Sequence, residues 1–397
     1  MIFEDYKVND FYTSVKEQHN IMVFMGNGFD ISVLRKYGNG NSVPSYVEFY
    51  DYLIKHKYGK NNLLVKQMKI DKKNKCENWS DFEATLGKLV LQGHDTKILS
   101  EDLDEIQKYF LDFLNGIVTT DILQKISKEA QDNEWSTYAL SHFLKDLKKE
   151  DFQKMIFPTT TQHKHLFNYL FVNFNYTSLF DNYIYLDKAQ FWPRIYQTSD
   201  RNFNFYPNPN GFLKNDITHQ DHGKSIPMQP NDSYSTYIIM NVTHPHGNLT
   251  IPRSVLFGTE EETKDAESFN KSFWAQTDLK YGKCIENANL FIIYGMSLGA
   301  SDSWWWKRIY NSLLYRDAEL IIYYYDAEKK ESDDRIKDRF IKSCNMRTNT
   351  KDIQRVKEKI YVVLYKDSYE IAFGFHGKGK DEMPQQSKLL NGFRTAL

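Results

Sequence analysis

Four short stretches of this 397-residue chain bring together residues able to hold a nucleotide or move a proton. Gly26-Asn27-Gly28-Phe29-Asp30 breaks the apolar run 21–25, and Asn175-Tyr176-Thr177 ends the run 170–175. Gly295, Ser297 and Asp302 follow the run 289–294, and His246-Gly247 closes the turn Thr243-His244-Pro245-His246-Gly247. Glycines let the backbone come close to a phosphate or ribose, and the start of a following helix favours an anion. The first loop lacks the third glycine of the GxGxxG fingerprint, so it reads equally as a strand-to-helix turn. Asp30 fits a helix cap or a substrate contact. Asn175 offers a donor and an acceptor, suited to a water or a ribose hydroxyl, and is also a common turn residue. His246 carries an imidazole that exchanges protons near neutral pH.

Residues just after strands matter because ligands of open parallel sheets lie outside the strands' carboxyl ends. The runs 21–25, 170–175, 289–294, 319–325 and 359–365 read as buried strands. Between them, 45–56, 304–316 and 333–343 have helical spacing, and 80–155 reads as several amphipathic helices inserted between strands. This alternation predicts an α/β fold, a parallel sheet with helices on both faces. Ser80-Asp81-Phe82-Glu83 matches the SxxE capping box, which assigns Glu83 to the helix start. Of Trp304, Trp305 and Trp306, one or two belong to the core and one to a pocket or interface. The stretch 194–250 reads as long loops pinned by short strands, and the tail after Gly374 as loosely ordered.

Composition narrows the function further. Fifty-one basic against 52 acidic residues leave a formal charge of −1, which removes the whole-chain attraction of nonspecific nucleic-acid binders. Aromatics at 15% supply a sizeable core, so disorder and coiled coil are excluded. Three distant cysteines, Cys76, Cys284 and Cys344, make neither a disulfide framework nor a paired zinc module. With no signal pattern and no membrane-length apolar stretch, the expectation is a cytoplasmic protein. Six of the eleven histidines, His163, His165, His219, His222, His244 and His246, fall in one region. Their HxH and HxxH spacings lack an HExxH helix, and no metal is expected.

Taken in order, several segments resemble the bacteriophage abortive-infection AbiH family: GNGFD at 26–30 with SYVEFYDYL at 45–53, WSDFEATLG at 79–87, FNYTSLFDN at 174–182, HGNL at 246–249, FGTEEE at 257–262 and IIYGMSLGASDSWWW at 292–306. The link between Asp30 and Ser45 is longer and more polar than the family's usual one. More distantly, the pattern is similar to sirtuin-like domains, which implies a Rossmann-like, sirtuin-like parallel sheet over 1–397, a helical insertion at 76–157 and a loop-rich segment at 194–250 beside the site.

The same resemblance implies NAD as substrate or ligand. Gly26, Asn27, Gly28, Phe29 and Asp30 would hold its pyrophosphate, and Asn175 with Tyr176 and Thr177 the nicotinamide ribose. His246 with Gly247 would act on a ribose hydroxyl or water, and Gly295 and Ser297 would hold the adenosine side. Asp30 or Asp302 would stabilise the developing cation. Because the cysteine-bound zinc of deacylases has no counterpart, the resemblance implies NAD hydrolysis at the nicotinamide-ribose bond in anti-phage defence. Two alternatives stand beside it: a metal-assisted nuclease or nucleotide hydrolase using His246, His244 and Asp30, and a non-enzymatic nucleotide sensor that recruits an effector. An off state is required, supplied by a homo-oligomer, by autoinhibition through the loop region 194–250 or by a neighbouring regulatory protein, and a phage-derived trigger is a further expected partner; no membrane or nucleic-acid partner is expected.

Overall fold

The computed structural model describes residues 17–38, 43–76, 79–158, 165–185, 218–221, 224–227, 237–259, 264–299 and 302–376. Six strands form one sheet: β1 (Glu17–Met25), β2 (His165–Asn173), β3 (Tyr237–Thr243), β4 (Leu290–Tyr294), β5 (Glu319–Tyr325) and β6 (Ile360–Tyr365). They pair in the order β3-β2-β1-β4-β5-β6, every pair parallel. The chain winds outward from β1 to β3, then returns to lay β4 on the other side of β1. That reversal is the topological switch point of a doubly wound, Rossmann-like α/β fold.

The strands carry apolar residues on both faces, as a sheet covered on both sides requires. Ile21, Val23 and Met25 of β1 pack with Phe29, Val33, Tyr169 and Phe171 on one face, where the chain lays α1 (Asn27–Tyr37). Met22 and Phe24 point the other way, against Trp305, Trp306 and Ile309. Each such buried side chain stabilises the fold by about 1.5–3 kcal/mol before entropy is counted. Trp305 and Trp306 are buried, while Trp304 is only partly covered.

Between α1 and β2 lie α2 (Tyr46–His56), α3 (Leu63–Lys73), α4 (Phe82–Leu91), α5 (Thr96–Ile117), α6 (Thr120–Asp132), α7 (Trp135–His142) and α8 (Lys149–Lys154). Helices α2 to α5 make a cluster of their own around Phe49, Phe82, Leu86 and Phe110, joined by Tyr176, Phe257 and Phe269 from the sheet's loops. With α9 (Leu179–Ile184), helices α6 and α7 cover the α1 face. The opposite face is covered by α11 (Thr277–Asn287), α12 (Ser303–Tyr315), α13 (Asp333–Ser343) and α14 (Thr350–Lys357); the short α10 (Lys271–Trp274) precedes them.

One expectation is made specific and one needs correction. Strand β3 lies inside the stretch read as long loops pinned by short strands, and it is a seven-residue strand at the edge of the described sheet, registered on β2 from Leu166 to Val172. Paired on one side only among the described residues, it tolerates the polar Asn241 and Thr243. Glu83 is not a capping-box residue: Asp81 caps α4, accepting from the Glu83 and Ala84 amides at 3.0 Å each. Phe375 is buried, and the expected loose tail lies from residue 377 onward outside the described residues. Among the described residues no helix is long and apolar enough to cross a membrane.

Candidate functional site

Register brings the first three segments together. Met25 pairs with Asn173 on one side and Tyr294 on the other, so β1, β2 and β4 end level and release Gly26, Phe174 and Gly295 side by side. The two glycine loops then dock on each other: the Gly26 amide donates to the Tyr294 carbonyl at 2.8 Å and the Gly28 amide to the Gly295 carbonyl at 2.9 Å. A Cβ on Gly26 would lie 2.6 Å from the Gly295 oxygen, and one on Gly28 2.7 Å from the Gly295 Cα. Close loop packing is thus the local reason for these glycines. Their two amides are committed to carbonyls, so attraction for an anion comes from the positive end of α1.

Asp30 sits in the first turn of α1, yet its carboxylate turns sideways. It accepts from Asn175 Nδ2 at 3.0 Å and from the Thr177 hydroxyl at 2.5 Å. Burial pushes its carboxyl up to about 7, against the opposing pull of the Thr177 bond. Asn175 Nδ2 also donates to the Gly26 carbonyl at 3.2 Å. Both Nδ2 protons are therefore used, and what Asn175 offers a ligand is its Oδ1 acceptor. Behind this pair, His244 contacts Asp181 Oδ1 at 2.9 Å and the Asn175 carbonyl at 3.1 Å. Burial opposes protonation of His244, but Asp181, the Asn175 carbonyl and the Asp30 charge together outweigh it and raise the imidazole's affinity for a proton.

A second group gathers around Lys271. Its ammonium lies 3.1 and 3.2 Å from the two oxygens of Glu83 and 3.5 Å from Asp302 Oδ1. Glu83 further accepts from the Gly258 amide at 3.1 Å and the Tyr46 hydroxyl at 3.2 Å. His246 Nε2 stands 3.8 Å from the same Asp302 oxygen, with its ring edge-on to Phe174. Burial, with the Lys271 charge beside it, holds His246 well below the ordinary imidazole range, so the ring is neutral. Burial raises the Asp302 carboxyl, opposed by Lys271, and pushes Asp81 up to about 6 with help from Glu83.

Both groups line one cavity of about 710 Å³, within the range of small-molecule sites. Its wall includes Gly26, Asn27, Gly28, Asp30, Asn175, Tyr176, Thr177, His246, Gly295, Ser297 and Asp302, and extends to Tyr324, Tyr325 and Tyr365 at the β5 and β6 ends. Phe29 is instead buried against Phe180 and Tyr183, and Gly247, at φ +86°, makes the turn that passes Ser254. Lys271, Asp81 and Tyr46 were not singled out by sequence. The signal available for them was weak: two carboxylates within Ser80-Asp81-Phe82-Glu83, and one lysine inside the aromatic-rich stretch 269–274.

This strand order, with a polar cavity over its switch point, defines a Rossmann-like α/β protein with a ligand-sized cleft. The chain belongs to the bacteriophage abortive infection AbiH family, whose model matches residues 22–324, and its role is accordingly anti-phage defence by abortive infection. No curated protein matches it.

Proposed function

We propose that the cleft binds NAD and hydrolyses its nicotinamide-ribose bond, depleting the infected cell of the dinucleotide. One observation carries this reading: the Asn175 acceptor and a neutral His246 line the same cavity as the start of α1, at the switch point. The helix start suits a pyrophosphate, and the Asn175 Oδ1 suits a ribose hydroxyl.

In the proposed reaction the bond from ribose C1′ to the nicotinamide nitrogen breaks, and its electron pair leaves with nicotinamide. Water forms the new C1′–O bond, and its proton passes to His246 Nε2. Positive charge builds on the sugar in between, as in glycoside cleavage. Asp302 and Glu83 provide negative charge in a water-poor setting, where it acts more strongly than in solvent. Lys271 holds both carboxylates in place.

The test is to incubate purified protein with NAD and follow nicotinamide and ADP-ribose by chromatography, alongside Asn175→Ala and His246→Ala. Release by the wild type alone is the expected result. If both variants release product at the wild-type rate, the assigned site is wrong.

A further inference from the structure

At the opposite end of the sheet, where β1 and β2 begin, a different group of ligating side chains comes together. Residues two apart on a strand share a face, and Glu17 is registered on His165, so Glu17, His19 and His165 all point to the α1 side. One ligand atom from each lies within 4.8 Å of the other two. His19 Nε2 and His165 Nδ1 approach to 2.9 Å, and Glu17 Oε2 lies 3.6 Å from His165 Nε2.

The imidazoles are held before any ion arrives. His19 is 3% and His165 6% exposed. The His19 ring stacks on Phe167 at 4.9 Å and meets the edge of Phe157 at 5.9 Å. Phe157 is itself fixed, because its amide donates to the buried Glu319 carboxylate at 2.7 Å. Glu17, by contrast, keeps about half its side chain in solvent and is free to turn.

We propose that Glu17, His19 and His165 form a binding site for a divalent transition ion of the zinc class. Two imidazoles and a carboxylate are a ligand set that zinc takes, with a fourth position left for water. Two nitrogens at roughly 2.0–2.1 Å from a tetrahedral ion stand about 3.3–3.4 Å apart, so the pair opens by a few tenths of an ångström and the rings turn until both lone pairs face the ion. In the metal-free protein the two rings share a hydrogen bond, which the ion replaces. This site lies at the other end of the strands from the cleft, and its effect is to clasp β1 to β2. It is independent of the proposed reaction.

The experiment uses the untagged full chain, stripped with a chelator and titrated with zinc chloride by equilibrium dialysis and by thermal unfolding. One zinc per chain is expected, with the midpoint rising by roughly 3 °C at about a hundredfold excess over Kd. Glu17→Gln, at an exposed position, should leave the metal-free midpoint unchanged and weaken binding at least about tenfold. His165→Gln, which retains a hydrogen-bonding side chain, should abolish stoichiometric uptake. No uptake by the wild type, or equal uptake by both variants, overturns the proposal and leaves a hydrogen-bonded imidazole pair.

Discussion

Lys271 and Glu83 form a bidentate ion pair at 3.1 and 3.2 Å with both side chains more than 90% buried, tying the helical layer to the lip of the cleft. Removing one partner strands a charge out of water. Lys271→Met should cost about 3–5 kcal/mol of stability in urea unfolding. Glu83→Gln should cost less, because an amide can keep contact with the Gly258 amide and the Tyr46 hydroxyl. A Lys271→Met, Glu83→Leu double variant more stable than Lys271→Met alone would establish the coupling; simple additivity would refute it.

Asp30 gives stability a pH dependence. Its folded-state pKa, near 7, lies above the ordinary 3.8, so the folded chain holds this proton while the unfolded chain has lost it. Stability is full below about pH 4 as far as this group is concerned, falls as pH rises, and levels off above about 7. Asp30→Asn should flatten that slope. Unfolding free energies at pH 5 and pH 8 for both proteins measure it, and equal slopes would refute the assignment.

In the proposed reaction His246 starts out neutral. Burial and Lys271 keep its ring unprotonated, so NAD turnover should show no loss through protonation of His246 between pH 6 and 8. His246→Gln should lower kcat by about 10²–10⁴-fold. A pH-rate profile with a limb near 6.5 that vanishes in this variant would place the imidazole outside its buried setting.

Gly28 is sensitive for a local reason. An added methyl would meet the Gly295 Cα at 2.7 Å, and that atom is backbone. Gly28→Ala should therefore pry the two loops apart, costing about 1–3 kcal/mol and weakening the proposed nucleotide binding. Unchanged thermal unfolding would show that the loops tolerate separation.

Strand runs, the glycine loop and the strand-end residues were legible because they depend on short-range pattern. Apolar runs such as 319–325 declare buried parallel strands, and the loops that end β1 and β4 follow from chain order. What was illegible is what distance in sequence hides. Glu83 satisfies a helix-cap pattern locally, yet its carboxylate is drawn to Lys271, 188 residues away. Asn175 carries no sign that both its amide protons go to Gly26 and Asp30, on another strand's exit. The short strands expected in 194–250 could not be placed, because an edge position such as that of β3 accepts polar residues that break the apolar run.

The central place of β1 has a consequence for how the molecule comes into being. Its two neighbours are residues 165–173 and 290–294, so β1 waits for partners made much later. A nascent chain interrupted before Gly295 has neither the second glycine loop nor Asp302, the carboxylate beside His246. The cleft is thus a late product of synthesis, and fragments released early cannot carry it.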